Sequence, residues 1–314
     1  MTAAPLPDAR PDNWVDRYAP RRARPWLKLA RFDRPIGTWL LMLPGWQAVA
    51  MADAQVGKAP DLQLLALIAI GALVMRGAGC AYNDIVDRDI DAKVARTALR
   101  PIPAGQISVK QALAYVAALC LIGLVILLGM TPLAIALGVG SLLLVAAYPF
   151  MKRITWWPQA WLGLTFNWGA PLGYAAATGH FGWQAVLLYA SGFFWTLGYD
   201  TIYAVQDMED DALVGVKSSA LRLGAGAPRA VALFYAACVI LASGAALVAG
   251  LGPLVLPFLA AYAGHLFWQA RRLKVEDGAL ALRLFKANRE AGLILFFGLV
   301  AGLWRHGGLF GLFG

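Results

Sequence analysis

Three long stretches of this sequence contain no Asp, Glu, Lys or Arg, and they restrict its fold more than any other feature. The stretches are residues 111–151, 154–199 and 230–270. Each is long enough for two membrane-spanning helices of about 20 residues. Turn sequences rich in glycine or proline lie near their middles, at residues 129–132, 179–182 and 250–253. Each stretch therefore predicts a helical hairpin that crosses a membrane twice.

Three further apolar segments complete the predicted membrane domain. They cover residues 35–52, 62–83 and 290–304, which brings the number of predicted transmembrane helices to nine. The composition agrees, because 60% of the residues are apolar, only 14% are charged and the mean hydropathy is +0.62. Soluble domains carry about 25% charged residues. We therefore predict an all-α polytopic membrane protein, with residues 1–34 as a cytoplasmic N-terminal segment and residues 35–314 as a single transmembrane domain.

The basic residues indicate how the chain is oriented in the membrane. Twenty-four of the 27 Lys and Arg residues fall in the N-terminal segment and in alternate loops, on one side of the predicted membrane. The positive-inside rule places that side in the cytoplasm. We expect an integral protein of the bacterial cytoplasmic (inner) membrane, with a cytoplasmic N-terminus and four larger cytoplasmic loops. The net charge of +9 then reflects topology and contact with membrane lipid, and no nucleic acid is expected as a partner.

Half of the 18 acidic residues are concentrated in two short windows at cytoplasmic ends of predicted helices. The windows contain Asp84, Asp87, Asp89 and Asp91, and then Asp200, Asp207, Glu209, Asp210 and Asp211. Within them, two trios are spaced by four residues: Asn83, Asp87 and Asp91, and Tyr203, Asp207 and Asp211. On an α-helix each trio shares one face, where like charges repel unless a cation compensates them.

Magnesium is the natural compensating cation, because it prefers oxygen ligands and is commonly held by one or two carboxylates, waters and substrate phosphates. Two such faces predict a phosphorylated substrate between them. Basic residues follow both windows, namely Lys93, Arg96 and Arg100, and then Lys217 and Arg222. Arg96 and Lys217 are favoured as diphosphate ligands, since a guanidinium fork chelates two phosphate oxygens and an ammonium acts as a point charge. The alternatives are solvated loop charges without a site, and cations that only set topology.

The two acidic motifs resemble those of the UbiA family of intramembrane aromatic prenyltransferases. In this chain they are Asn83–Asp91 (NDIVDRDID) and Tyr199–Asp211 (YDTIYAVQDMEDD). Further similar segments, spread over nearly the whole chain, are Arg34–Thr38, Arg76–Cys80, Gly215–Ser218, Tyr148–Arg153 and Trp157–Gln159. The last two resemble the branch of the family that acts on 4-hydroxybenzoate. Met208 departs from the pattern, since similar sequences often have a basic residue there.

The resemblance implies nine helices around a central cavity and a Mg²⁺-dependent reaction of ubiquinone biosynthesis. In that reaction a polyprenyl group passes from polyprenyl diphosphate to the ring carbon ortho to the hydroxyl of 4-hydroxybenzoate, and diphosphate is released. The implied metal ligands are Asn83, Asp87, Asp91, Asp207 and Asp211. Catalysis is assigned to the same four aspartates and Arg96. Substrate binding is assigned to Arg34, Arg76, Arg96, Lys152, Arg153, Tyr203 and Lys217, of which Arg96, Lys152 and Lys217 are expected to contact phosphate oxygens.

The carboxylate of an aromatic acid needs a cation, and Arg153 is the preferred candidate, followed by Arg34. Arg76 lies seven positions before Asn83, about two helical turns, and thus on the face of the predicted metal ligands. An arginine at that depth in the membrane costs much free energy unless it faces a polar cavity or an acid. The alternative is therefore that Arg76 pairs with an acid and has only a structural role. Glycine and proline in segment 167–171 predict a helix kink.

Two other functions fit parts of the pattern. One is a UbiA-type enzyme with another acceptor, of the haem, chlorophyllide, naphthoate or homogentisate type. The other is a membrane transporter, because intramembrane acids and a repeated acid-bearing helix also occur in transporters. The acids of this chain lie at cytoplasmic helix ends beside basic loops, whereas a transporter favours ionisable groups near the middle of the membrane.

Overall fold

The computed structural model describes residues 13–93 and 97–304, without the side chains of Asp210 and Val214. The regular elements in these ranges are helices, and the ranges contain no β-strand. The α-helices are α1 (Trp14–Tyr18), α2 (Arg24–Leu29), α3 (Ile36–Gln55), α4 (Leu62–Asp91), α5 (Val109–Leu128), α6 (Pro132–Ile154), α7 (Pro158–Phe166), α8 (Gly169–Thr178), α9 (Trp183–Val205), α10 (Met208–Val214), α11 (Ser219–Leu223), α12 (Ala227–Val248), α13 (Val255–Arg272), α14 (Gly278–Lys286) and α15 (Asn288–Ala301).

The chain divides into two compact units. The first unit comprises Met1–Trp39 and Ala69–Gly129, and the second comprises Leu40–Ile68 and Met130–Gly314. Helices α3 and α4 both run through the division between the units. The boundary expected after residue 34 stays a prediction.

The apolar segments named from the sequence are helical. Helices α3 and α4 occupy the first two segments, α15 the last, and the three charge-free stretches contain α5 and α6, α7 to α9, and α12 and α13. The turns also lie where the sequence predicts them. Thr131 caps α6 by accepting a hydrogen bond from the Ala134 N–H at 3.3 Å, and Pro132 takes the first helical position, where no N–H is needed. Gly179 ends α8 in the left-handed conformation, at φ +76°.

Four helical stretches of the described chain are long and apolar enough to cross a membrane by themselves. They are Leu62–Asp91, Val109–Leu128, Pro132–Ile154 and Ser219–Val248. These stretches and the helical content agree with an all-α integral membrane protein. The number of nine crossings, and the central cavity, stay predictions.

The first helix of the stretch 154–199 is broken rather than kinked. Helix α7 ends at Phe166 and α8 begins at Gly169. Pro171 has no N–H to donate, so a helix that restarts just before it loses no hydrogen bond. Asn167 stabilises the break, because its side-chain amide donates to the Gly163 carbonyl at 2.9 Å and to Thr196 Oγ1 on α9 at 2.7 Å.

The second unit is organised around α9. A network of buried polar side chains joins this helix to α12, α13 and α15. Trp195 Nε1 donates to Asn288 Oδ1 at 2.8 Å, while the Tyr235 hydroxyl (3.0 Å) and Asn288 Nδ2 (2.9 Å) both donate to Gln269 Oε1. Because these groups satisfy one another away from water, they fix the relative positions of the four helices. The C-terminal end of α9 carries the start of the second acidic motif.

Helix α8 approaches α3 closely within the second unit, at glycine positions. A Cβ atom on Gly173 would lie 2.7 Å from the carbonyl oxygen of Gly45, and one on Gly169 would lie 3.1 Å from the Gly45 nitrogen. Only glycine permits this backbone contact. Small residues of this kind let membrane helices pack through van der Waals contacts.

The first unit packs α2 against α4 and α5. Leu29 is fully buried in a cluster with Ala81 and Ile85, and the Trp26 ring lies edge-on to Tyr115 with 5.2 Å between ring centroids. This packing fixes the segment after α2, which reaches Arg31. The described part of the N-terminal segment, from residue 13 onward, therefore contributes to the structure around the first acidic motif.

Candidate active site

The first acidic motif forms the last two turns of α4, which continues eight residues beyond the predicted end at residue 83. Asn83 Nδ2 donates to Asp87 Oδ2 at 3.0 Å, so these two side chains share one helix face as the spacing predicts. Asp87 is fully buried, whereas the Asp89 side chain is 79% exposed and lies 3.5 Å from Arg88 Nε. Asp87 is thus separated from solvent, Asn83 beside it is partly buried, and Asp89 is not part of this face.

Two other aspartates of the motif are paired with arginines. Arg31 Nη2 lies 2.8 Å from Asp84 Oδ1, and Arg100 Nη1 lies 3.2 Å from the same oxygen. The same Arg100 nitrogen lies 2.7 Å from Asp91 Oδ2. Both aspartates are buried, so the two arginines compensate charges that would be costly to leave unpaired. We call Arg31, Asp84, Arg100 and Asp91 the arginine–aspartate network.

The chain after α4 returns to the motif. Thr97 Oγ1 donates to the main-chain carbonyl of Asp91 at 2.7 Å, and Arg100 follows one turn later. Lys93 is exposed. Arg96, which the sequence favours as a diphosphate ligand, lies outside the described residues.

The second acidic motif spans the end of α9 and the start of α10, and here one prediction is wrong. Tyr203, Asp207 and Asp211 do not share the face of one continuous helix, because the chain tightens into a turn between α9 and α10. There the Gln206 and Asp207 N–H groups donate three residues back, to the carbonyls of Tyr203 and Ala204. Asp207 and Asp211 stay one helical turn apart, since the Asp211 N–H donates to the Asp207 carbonyl at 2.8 Å. The Tyr203 ring packs on Phe285 of α14, with 4.7 Å between centroids.

Two predicted phosphate-binding lysines come together beside this motif in the second unit. Gly215, at φ +72°, ends α10, and the next N–H, of Val216, donates to the Asp211 carbonyl at 2.9 Å. The N–H of Lys217 then donates to the carbonyl of Lys152 at 3.0 Å, and Lys217 Nζ donates to the Ile154 carbonyl at 3.1 Å. The turn after α10 therefore places Lys217 against the end of α6, where Lys152 lies.

The three arginines considered for an acceptor carboxylate have different surroundings. Arg34 lies 3.2 Å from Asp33 in an ion pair. Arg153 is exposed at the end of α6, with its guanidinium carbon 5.9 Å from the centre of the Phe150 ring.

Arg76 is half-buried on α4 and donates to Cys80 Sγ at 2.7 Å. Its guanidinium lies against Gly37, where a Cβ atom would be 2.6 Å from Nη2 and 2.9 Å from Cζ. Glycine at position 37 therefore makes room for this cation two turns before Asn83.

The two motifs contain the types of donor atom that Mg²⁺ prefers. They are carboxylate and amide oxygens, the ligands of a hard divalent cation. Within residues 13–93 and 97–304, no group of three or more His, Cys, Asp or Glu side chains is arranged to hold a metal ion.

Sequence reasoning missed the arginine–aspartate network. One signal was available: Asp84 and Asp91 are seven residues apart, which puts them on the same side of α4 two turns apart. From the sequence alone, Arg100 is one of several cations after the motif, and Arg31 contributes only to the charge asymmetry that sets topology. Their pairing depends on the fold of the segment after α2 and of the chain after α4, which spacing does not reveal.

Comparisons with known proteins agree with these features. The model of the UbiA prenyltransferase family matches residues 41–300. The mitochondrial 4-hydroxybenzoate polyprenyltransferase of Arabidopsis thaliana is 47% identical over 291 residues, covering 92% of this chain and 71% of the relative. The protein of the same name from Homo sapiens is 46% identical over 290 residues, covering 92% and 78%.

Solved structures share the fold. A UbiA homologue from Aeropyrum pernix K1, in its apo form, superposes with a TM-score of 0.69 at 27% identity, covering 83% of this chain and 96% of that one. A UbiA homologue from Archaeoglobus fulgidus, solved with GPP and Mg²⁺ bound, gives a TM-score of 0.66 at 20% identity and covers 88% and 99%. With the family model spanning most of the sequence and relatives more than 40% identical over nine-tenths of it, this chain belongs to the UbiA prenyltransferase family.

Proposed function

We propose that this protein transfers a polyprenyl group from a polyprenyl diphosphate to 4-hydroxybenzoate, on the ring carbon ortho to the hydroxyl, as a step of ubiquinone biosynthesis. The observation that carries the proposal is the pair of acidic motifs, each accompanied by basic side chains. The names of the curated relatives support the acceptor. Family membership does not favour the alternative of a membrane transporter.

Magnesium is the proposed cofactor. Asn83, Asp87 and Asp91 would hold it at the first motif, and Asp207 and Asp211 at the second. The Archaeoglobus fulgidus homologue, which was solved bound to GPP and Mg²⁺, supports this choice. When bound, the metal offsets the negative charge that develops on the diphosphate as the allylic C–O bond breaks.

The basic residues bind the phosphate oxygens in this proposal. Two hydrogen bonds hold Lys217 at the end of α6, one of them to the main-chain carbonyl of Lys152, and both lysines are proposed as phosphate ligands. Arg96 is proposed as a third phosphate ligand, and it follows the first motif in sequence. The charges of these residues stabilise the leaving group as the bond to the prenyl carbon breaks.

Arg76 is the proposed ligand of the acceptor carboxylate. It is less exposed than Arg153, and it lies on the face of α4 that carries Asn83. Arg34 already faces Asp33, which reduces its charge toward a second carboxylate. These surroundings favour Arg76 over Arg153, the residue that the sequence alone preferred.

An acceptor screen tests the proposed function. The purified protein in lipid nanodiscs is given a polyprenyl diphosphate, Mg²⁺ and, in separate reactions, 4-hydroxybenzoate, homogentisate and a dihydroxynaphthoate. We expect a prenylated product with 4-hydroxybenzoate, equimolar release of diphosphate, and no product when Mg²⁺ is chelated. Faster turnover with another acceptor would move the protein to a different branch of the family.

The cytoplasmic side is proposed for the N-terminus, the two motifs and the loops that contain Lys152 and Lys217, in the inner membrane of a bacterium. The support is the distribution of Lys and Arg along the chain. Single cysteines introduced at exposed Asp89 and Glu209 should resist a membrane-impermeant thiol reagent in intact cells and react after lysis. A cysteine at exposed Lys58, the matched control on the opposite side, should react in intact cells. The reverse pattern would overturn this topology.

A further inference from the structure

The arginine–aspartate network fixes one of the proposed metal ligands. Arg100 Nη1 contacts Asp84 Oδ1 at 3.2 Å and Asp91 Oδ2 at 2.7 Å, so a single nitrogen joins the two carboxylates. Asp84 is completely buried, and its Oδ1 atom also accepts from Arg31 Nη2 at 2.8 Å. Asp91 is therefore connected through Arg100 and Asp84 to the segment after α2.

Arg31 has an unusual backbone for an arginine. Its φ angle is +60°, and it is the only non-glycine residue with a positive φ in the described chain. The conformation closes α2 as a Schellman motif, in which the Phe32 N–H donates to the Leu27 carbonyl at 2.9 Å and the Arg31 N–H to the Lys28 carbonyl at 3.1 Å. Glycine is the usual residue at such a position, because a Cβ atom is disfavoured there. An arginine at this strained backbone position indicates that its guanidinium has a role there that glycine could not fill.

We propose that Arg31, Asp84 and Arg100 are positioning residues that hold Asp91 in the orientation that binds Mg²⁺, and that Asp84 is not a metal ligand. The inference rests on the proposed function, which makes Asp91 a ligand. Arg100 holds Oδ2 of Asp91, and the contacts of the described residues leave its Oδ1 available to the metal. Outer-shell partners of this kind orient metal-binding carboxylates and are important for affinity.

Coulomb's law separates this role from a purely electrostatic one. Two arginines beside a cation site repel the cation, so removing either charge without disturbing Asp91 tightens metal binding. If the arginines instead hold Asp91 in place, their removal weakens metal binding in spite of the lost repulsion. The sign of the change in affinity therefore distinguishes the two roles.

The test is a Mn²⁺ titration of the full-length protein in nanodiscs, followed by the EPR signal of free Mn²⁺ and carried out without prenyl substrate. Mn²⁺ stands in for Mg²⁺ because it accepts the same oxygen ligands. We assign to the first motif the Mn²⁺ site that is lost in the Asp87→Ala variant. We expect Arg31→Gly and Arg100→Gln to weaken this site about 10- to 100-fold. Arg31→Gly is the sharper variant, because glycine suits the φ of +60° and leaves the backbone turn intact.

Two substitutions nearby provide matched controls. Arg88→Gln and Asp89→Asn each remove one charge, positive or negative, from α4, the helix that carries Asp84 and Asp91, but both side chains are substantially exposed, at 47% and 79%. We expect less than a twofold change in Mn²⁺ affinity for either. Arg100→Lys should recover part of the affinity lost in Arg100→Gln, since a single ammonium nitrogen can bridge the two carboxylates that Arg100 Nη1 bridges.

The outcomes are distinguishable. Tighter or unchanged Mn²⁺ binding in Arg31→Gly and Arg100→Gln would overturn the positioning role, even if thermal stability fell. Retained Mn²⁺ affinity in both arginine variants, with a loss only in Asp84→Asn, would instead make Asp84 a direct ligand. Wild-type protein that binds no Mn²⁺ at a site dependent on Asp87 would contradict the proposed metal function itself.

Discussion

Asp87→Ala and Asp207→Ala should each lower prenyl transfer about a thousandfold or more at saturating Mg²⁺. Each change removes a proposed metal ligand, and the charge that develops on a departing diphosphate then loses stabilisation when the barrier is highest. Asp87 is buried and contacts Asn83, while Asp207 lies at the turn that starts α10. Product formation under single-turnover conditions measures the effect directly.

Two exposed acids of the same motifs are the controls for this experiment. Asp89→Ala and Glu209→Ala remove a carboxylate from each motif without touching a proposed ligand, so both should stay within about threefold of wild type. Membrane insertion and thermal stability are compared for all four variants. Near-normal turnover by either ligand variant would remove that motif from the metal model.

Arg76→Gln should raise the KM for 4-hydroxybenzoate far more than the KM for polyprenyl diphosphate. Removing one partner of a desolvated, hydrogen-bonded charge pair costs about 2–5 kcal/mol, which corresponds to roughly 30-fold to several thousandfold in affinity. Arg76→Lys should recover only part of the loss, since lysine lacks the planar fork that grips a carboxylate at two points. Steady-state kinetics with each substrate varied in turn would separate the two constants.

Arg153→Gln is the matched control for that measurement. Arg153 is exposed at the end of α6, so its removal should change the acceptor KM by no more than about threefold. If Arg153→Gln raises the KM for 4-hydroxybenzoate more than Arg76→Gln does, the acceptor carboxylate binds Arg153, the residue that the sequence favoured. An equal loss for both substrates at Arg76 would assign that arginine to the diphosphate.

Much of the fold was predictable because the local amino-acid composition indicates where membrane helices form. A charge-free stretch that is long enough for two spans and has a turn sequence in its middle can hardly fold in a bilayer except as a helical hairpin. The positions of the turns at Thr131 and Gly179 followed from capping and glycine chemistry. The contact between Asn83 and Asp87 followed from helical spacing alone.

The structure differs from the sequence-based predictions where tertiary contacts determine the local conformation. Spacing predicted one helix through Tyr203 and Asp211, but the turn at Gln206 and Asp207 separates α9 from α10. The break at Asn167 likewise depends on a hydrogen bond to Thr196, which is 29 residues away. The buried pairs of Asp84 are longer-range still, because Arg31 lies 53 residues from it in sequence. Periodicity carries no information about such partners.

The polar network of the second unit has a consequence for how the chain enters the bilayer during synthesis. Gln269 on α13 accepts hydrogen bonds from Tyr235 on α12 and from Asn288 on α15, and Asn288 accepts one from Trp195 on α9. Neither α13 nor α15 is among the described stretches that are both long and apolar enough to span a membrane alone. An amide that meets hydrocarbon without a partner costs free energy, so the hydrogen bonds from Tyr235 on α12 and from Trp195 on α9 help to stabilise α13 and α15 in lipid. We therefore expect the C-terminal third to insert cooperatively, because α13 and α15 depend on partners in α9 and α12, which are synthesised first, and on each other.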